Sequence, residues 1–281
     1  MNLSDKEKFY YLNLEKGYEG ELLFDKLSEN IKEERYFLND LLFEVNNSYL
    51  QIDSLIISQG LIHLFDIKNF QGDCYLEQDK LFNVKSKREY KNPIDQLKRS
   101  TTLFRQLLNN LHCNYLIDSL VIFVNPEFTL YQAPMNQPFI LPTQLNRYIN
   151  EINHSPSKLN DGHTKLAKTL LSLHQSKNPF ESIPNYNYDQ LQKGIYCSNC
   201  KCFFVFLNNN IFSCKKCGYQ EKIELAILRN TEELRLLFPD IKITTNMVYD
   251  WCQTELNQKT IRRILKKHYT SIGTTRDTYY E

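Results

Sequence analysis

Two C-x-x-C pairs, Cys197-Ser198-Asn199-Cys200 and Cys214-Lys215-Lys216-Cys217, restrict this chain's folding options more than any other feature. Each pair sets two thiolates on one tight turn. Between the pairs run an apolar stretch (Phe203 to Leu207), a turn-like Asn208 to Asn210 and a second apolar step, Ile211-Phe212, which is the pattern of a hairpin that closes four sulfurs around one ion. The expectation is a structural zinc ribbon with four cysteine ligands, with free cysteines or an iron–sulfur cluster as the other readings. A closed tetrahedron of thiolates leaves no open position for catalysis, and a hairpin this small depends on its metal to fold. Gly218 suits the second knuckle and Tyr196 can pack on the hairpin. Cys202 extends the first pair to C-x-x-C-x-C and reads as a spare thiol.

The remaining cysteines, Cys74, Cys113 and Cys252, are scattered, and Met1 to Tyr10 lacks the apolar core of a secretion signal, so metal binding is favoured over disulfides. No stretch approaches the roughly 18 uncharged apolar residues of a membrane span, and the expectation is a cytoplasmic protein. At 42% hydrophobic residues the chain can bury a core. Its 34 basic and 33 acidic residues nearly cancel, so a nucleic-acid surface has to come from local charge segregation. Lys193, Lys201, Lys215 and Lys216 make the ribbon one such basic region, or simply a solvated face.

Upstream, Leu22, Leu23, Leu27 and Ile31 recur at helical intervals and predict a helix from Leu14 to about Lys32, with Gly17 and Gly20 as punctuation at its start. Leu41 to Val45, Tyr49 to Ser58 and Leu61 to Phe70 read as strands, the last two joined as a hairpin by Gln59-Gly60. Leu81 to Val84 adds an edge strand, Asn92 to Leu111 a helix opened by Pro93, and Ser119 to Val124 a buried strand. Helices follow at Thr143 to Ile152 and Thr164 to Gln175, and the Asn-, Pro- and Ser-rich stretch from Lys177 to Tyr188 reads as a linker. The fold class implied is α/β, an α+β mixed sheet flanked by helices.

A two-residue turn at Gln59-Gly60 pairs Ser58 with Leu61 and sets Asp53 opposite Asp66, whereas a bulge at Gly60 shifts that register by one. Opposed carboxylates repel unless something neutralises them. Hard oxygen ligands of this kind suit Mg²⁺ or Mn²⁺, and Lys68, two residues past Asp66 on the same strand face, can orient water or hold a phosphate oxygen. The other reading is an exposed polar face on which Lys68 merely relieves the repulsion.

Gly17-Tyr18-Glu19-Gly20-Glu21, Gln51-Ile52-Asp53, Phe65-Asp66-Ile67-Lys68-Asn69 with Gly72, and Asn92-Pro93 with Gln96 resemble, in this order, the landmarks of the NERD (nuclease-related) domain. The resemblance covers roughly Glu15 to Pro126. It implies a restriction-endonuclease-like PD-(D/E)xK fold that cleaves phosphodiesters with a metal ion. Asp53 and Asp66 would take the metal-ligand positions, Lys68 the lysine position, Glu21 that of the helix glutamate and Gln96 that of a glutamine in the following helix. NERD sequences usually carry Glu where this chain has Asp66, a side chain shorter by one methylene, and the wider nuclease class accepts either acid. Apart from the resemblance, Glu21 reads as a first-turn helix acid and Gln96 as a solvated helix residue.

At the C-terminus Thr245 caps a helix from Asn246 to Gln253. A second helix, Asn257 to His268, buries Ile261, Ile264 and Leu265 and carries Lys259, Arg262, Arg263, Lys266 and Lys267 outside that stripe. With the Thr- and Tyr-rich end Thr274 to Tyr280 as a wing, this resembles a small winged-helix or helix-turn-helix module, its second helix placed to read guanine or grip phosphate. The bland reading is a basic helix facing solvent.

The organisation expected is a nuclease-like domain at 1–152, a helix and linker at 153–190, a four-cysteine zinc ribbon at 191–224 and a basic helix-turn-helix-like module at 225–281. All point to nucleic acid, DNA first, as partner and to a Mg²⁺-dependent nuclease, the alternative being a non-catalytic nucleic-acid-binding or regulatory protein that keeps the nuclease fold. An adaptor that contacts protein is a third reading.

Overall fold

The computed structural model describes residues 3–179, 183–203, 205–208, 211–274 and 278–281. Phe204 of the expected ribbon run, its turn at Asn209-Asn210 and the middle of the expected wing, Thr275 to Asp277, lie outside the described residues. The chain divides into two compact units, Asn2–Pro184 and Asn185–Glu281. Among the described residues no helix is long and apolar enough to cross a membrane.

The first unit opens with α1 (Asp5–Ser28), which begins nine residues before the apolar periodicity does. A capping box starts it: the Glu7 N–H donates to Ser4 Oγ at 3.3 Å and the Ser4 N–H to Glu7 Oε2 at 2.7 Å. None of residues 5–19 is buried, and burial begins with Gly20, Phe24 and Ser28. Gly17 and Gly20 therefore fall inside the helix and not at its start. Gly20 lets α1 approach the sheet closely, since a Cβ there would lie 2.7 Å from Asn69 Cβ and 3.4 Å from Val124 Cγ2.

Strands β1 (Tyr36–Val45), β2 (Ser48–Ser58) and β3 (Leu61–Lys68) form an antiparallel meander. A second sheet collects β4 (Gly72–Glu77), β5 (Lys80–Asn83), β6 (Glu89–Tyr90) and β8 (Phe128–Tyr131) in the order β6-β5-β4-β8. Helix α2 (Pro93–Asn110), capped by Asn92, leads to β7 (Leu116–Phe123), which pairs parallel with β3, and β9 (Phe139–Ile140) pairs parallel with β7. The main sheet is thus mixed, in the order β1-β2-β3-β7-β9. Helices α3 (Pro142–His154) and α4 (Asp161–Leu173) complete the unit.

Alternation along β3 sorts its side chains onto two faces. Ile62 and Leu64 pack with Leu97, Phe104 and Leu108 of α2 and with Leu166 and Leu170 of α4. Phe65 and Ile67 pack with Phe24 of α1 and with Leu145 and Ile149 of α3. The sheet is covered on both sides, as the apolar run through β7 requires.

In the second unit β10 (Val205–Asn208), β11 (Ile211–Cys214) and β12 (Gln220–Lys222) form an antiparallel sheet. Helices α5 (Ile223–Leu237), α6 (Thr245–Cys252) and α7 (Gln258–His268) share one core built on Ala226, Ile227, Leu234, Val248, Trp251, Ile261 and Leu265. Helix α5 has no counterpart in the sequence reading. The N-cap of α6 is Thr244, one residue before the expected Thr245, with the Met247 N–H donating to its Oγ1 at 3.3 Å. Two short strands, β13 (Ser271–Ile272) and β14 (Tyr279–Tyr280), pair after α7.

Candidate active site and metal centre

The hairpin turn at Gln59-Gly60 carries no bulge: Gly60 takes φ 76° and the ladder runs from Ser58 opposite Leu61 to Ser54 opposite Phe65. It stops one step before Asp53 and Asp66. There the Asp53 carboxylate replaces a cross-strand carbonyl, its Oδ2 accepting the Ile67 N–H at 2.7 Å. On the other flank β1 pairs Asn39 with Ser54 and Leu41 with Ile52, so Asp40 falls opposite Asp53, with φ 50°. Asp40, Asp53 and Asp66 therefore lie side by side on three neighbouring strands, at a point where neither ladder pairs them.

Asp66 is 5% exposed. Its Oδ2 lies 2.8 Å from Lys68 Nζ, yet this fully buried atom has no hydrogen bond of good geometry. Burial pushes the Asp66 carboxyl up to about 6, against the attraction of Lys68. Burial also raises Asp53, with Lys68 and the Ile67 N–H pulling the other way. Glu21, half-buried on α1, is pushed up to about 7 by burial and then by the charges of Asp53, Asp40 and Asp25. Burial disfavours the ionised form of all three acids, a cost that a bound divalent cation offsets. They do not draw together as tightly as the cysteines do, because Glu21, Asp53 and Asp66 do not form a set with all ligand oxygens within 4.8 Å.

By alternation Asp66 and Lys68 share the α2 face of β3, whereas Glu21 comes from the helix on the opposite face and is felt by Asp53. Gln96 is half-buried in the first turn of α2 and, among the described residues, hydrogen-bonds to none of these four. Three further residues near these groups were not read from the sequence as site residues. Asp40 borders Glu21 and Asp53, and Lys91 acts on the Asp66 charge from just before α2. Asn69 ties the end of β3 to α1 by donating to the Lys16 carbonyl at 2.8 Å. For Asp40 a signal existed: the register of the first hairpin sets it opposite Asp53.

In the second unit the sulfurs of Cys197, Cys200, Cys214 and Cys217 all lie within 4.8 Å of one another. The two knuckles are near copies. The Lys201 N–H donates to the Cys197 carbonyl and the Cys197 N–H to the Cys202 carbonyl, just as the Gly218 N–H donates to Cys214 and the Cys214 N–H to Tyr219. Lys201, at φ 59°, occupies the left-handed position that Gly218 fills in the second knuckle at φ 73°. The backbone N–H of Cys217 helps hold the Cys214 thiol down to about 6, close to the thiolate a metal requires. The donor set and its closeness fit one tetrahedral ion.

On α7, Lys259, Arg262, Arg263, Lys266 and Lys267 are all exposed, and Ile261, Ile264 and Leu265 are buried. Lys267 is already engaged, 2.7 Å from Glu224 Oε1 on α5, which His268 also contacts. Lys259 and Arg262 instead line an open groove of about 470 Å³ with Thr244, Thr245 and Asn246 at the start of α6.

Comparison with curated proteins and with solved structures gave no match. Residues 16–124, the span that holds Glu21, Asp53, Asp66, Lys68 and Gln96, match the family model described as NERD, Nuclease-related domain.

Proposed function

We propose that this chain is a divalent-metal-dependent nuclease that hydrolyses phosphodiester bonds of DNA in the cytoplasm. The observation that carries this reading is the Asp53, Asp66 and Lys68 group, with Asp66 buried against Lys68 and Asp53 half-buried beside it, which lies inside the nuclease-related span. Asp53 and Asp66 would hold Mg²⁺ or Mn²⁺, and when bound the ion supplies an activated water and stabilises charge on the phosphate. Lys68 holds Asp66 in place through its 2.8 Å contact and orients the attacking water. The Ile67 N–H keeps the Asp53 carboxylate aimed into the gap between β2 and β3. Glu21, near neutral in its protonation balance, is suited to take a proton during attack, and Gln96 assists from α2.

In this reading the nuclease-like domain is 1–152, joined by a helix and linker at 153–190 to a zinc ribbon at 191–224 and a helix-turn-helix-like module at 225–281. The ribbon supplies structure through Cys197, Cys200, Cys214 and Cys217 and takes no part in the chemistry. Helix α7 acts as recognition helix through Lys259, Arg262, Arg263, Lys266 and Lys267, with Lys267 contributing least because Glu224 competes for it.

Incubation of single- and double-stranded DNA and RNA with the full chain and Mg²⁺ or Mn²⁺ tests the proposal. Cleavage that Asp53→Ala lowers by about 10³-fold or more is expected. Equal cleavage by both proteins, or none by either, overturns it. For the C-terminal module, changing Lys259, Arg262, Arg263 and Lys266 together to Gln should weaken duplex binding and flatten its salt dependence by about 0.9 log unit per lost phosphate contact. An unchanged slope removes α7 from the interface.

A further inference from the structure

Cys202 does not belong to the set of four sulfurs, yet its Sγ lies 3.1 Å from that of Cys200 and 3.6 Å from that of Cys214. The spacing is a product of the knuckle. Lys201 in the left-handed conformation turns the chain back on itself, and the Cys197 N–H fixes the Cys202 carbonyl at 2.8 Å. The second knuckle makes the same backbone bond with Tyr219, so this position needs no sulfur to support the turn. Cys200 and Cys202 are both half-buried and Cys217 is exposed, hence reachable by a small reagent, whereas Cys197 and Cys214 are buried.

We propose that Cys200 and Cys202 form a peroxide-reactive pair whose oxidation to a disulfide takes Cys200 out of the metal site and releases the zinc. The Cys202 sulfur attacks one oxygen of a hydroperoxide; the O–O bond breaks, a sulfenic acid forms, and water or an alcohol leaves with the thiol proton. The Cys200 thiolate then attacks the Cys202 sulfur. The S–O bond breaks, the departing hydroxide takes up a proton to leave as water, and the S–S bond forms at the expense of the Cys200 bond to the ion. Two thiols are oxidised and one peroxide is reduced. Three thiolates remain, a set that binds zinc less tightly than four.

This inference rests on the zinc reading for its second half only, and the experiment separates the two. The zinc-loaded full chain is treated with hydrogen peroxide while a chromogenic chelator reports released zinc, and tryptic peptides are mapped under non-reducing conditions. Trypsin cuts after Lys201, so a Cys200–Cys202 disulfide keeps the two flanking peptides joined, and fragmentation identifies the bonded sulfurs. The expected result is about one zinc released per chain in step with that disulfide, reversed by thiol reductant and added zinc. Cys202→Ser, first shown to hold as much zinc as the wild type, should release it about tenfold more slowly or not at all. Cys202→Tyr, which copies Tyr219, serves if the serine variant loads poorly. Release as fast from the variant, or a disulfide joining other cysteines, overturns the proposal. A Cys200–Cys202 disulfide in a chain that never held zinc overturns the zinc reading and leaves the reactive pair.

Discussion

The same substitution three residues apart on α1 is expected to act with opposite sign. Gly17→Ala meets nothing within 4 Å and removes a helix-interior glycine, which should stabilise the protein by about 0.5 to 1 kcal/mol. Gly20→Ala sets a Cβ 2.7 Å from Asn69 Cβ, an atom next to backbone that cannot rotate aside, so α1 has to move off the sheet. Overpacking of this kind costs about 1 to 3 kcal/mol. The functional loss should exceed the loss in stability. Glu21 follows Gly20 directly, and Asn69 anchors both α1 and Asn125, so lifting the helix displaces Glu21 from Asp53. A displacement of about 1 Å at a reacting centre costs on the order of 10²-fold in rate. Denaturant titration and DNA cleavage on the two variants check this, and equal stabilities would show that the contact with Asn69 carries no weight.

The second large effect is on pH. In the metal-free protein Asp66 sits at about 6 and Glu21 at about 7, both above their unfolded values, and Asp53 is raised as well. A carboxyl raised on folding contributes stability that is complete below its unfolded pKa and disappears as pH climbs through the folded value. The first unit should therefore be most stable near pH 4 and weaken toward pH 7, with Asp66 alone accounting for on the order of 2 to 3 kcal/mol. Mg²⁺ should reverse the trend, raising the melting temperature far more at pH 7.5 than at pH 5, because the ion binds the deprotonated acids. Asp66→Asn should flatten both slopes. Calorimetry across pH with and without Mg²⁺ reads this directly; stability that rises with pH in the metal-free protein contradicts it.

How much of this was legible depended on the range of the forces involved. The β2–β3 hairpin and its register follow from Gln59-Gly60 and the flanking β-branched residues, because a two-residue turn sets the pairing locally. The pairing stop at Asp53 was not legible, since it arises from one side chain taking a backbone donor. Helix α5 was missed because its buried face, Ile223, Ala226, Ile227, Asn230, Thr231 and Leu234, includes polar residues that interrupt the apolar period. Strand β9 is too short to show alternation, and β4 and β8 are set beside each other by parallel pairing across a long stretch of sequence. The clustering of Cys197, Cys200, Cys214 and Cys217 was legible from spacing alone. The nearness of Cys202 was not, as it depends on the left-handed turn at Lys201.

The parallel pairing of β3 with β7 also determines when the site comes into being. Leu61 meets Leu116 and Asp66 meets Val121, partners 55 positions apart, whereas the β2–β3 hairpin closes over two residues. A hairpin forms in about 1 to 10 μs, but a long-range parallel pair has to wait for a costly loop closure. Early in folding, then, Asp53, Asp66 and Lys68 lie on a solvated hairpin with their charges in water. They lose that water only when α2 and β7 dock, so the slow step of folding is also the one that desolvates the carboxylates. Whatever neutralises those acids, protons or a divalent ion, should speed that docking step and not the hairpin before it.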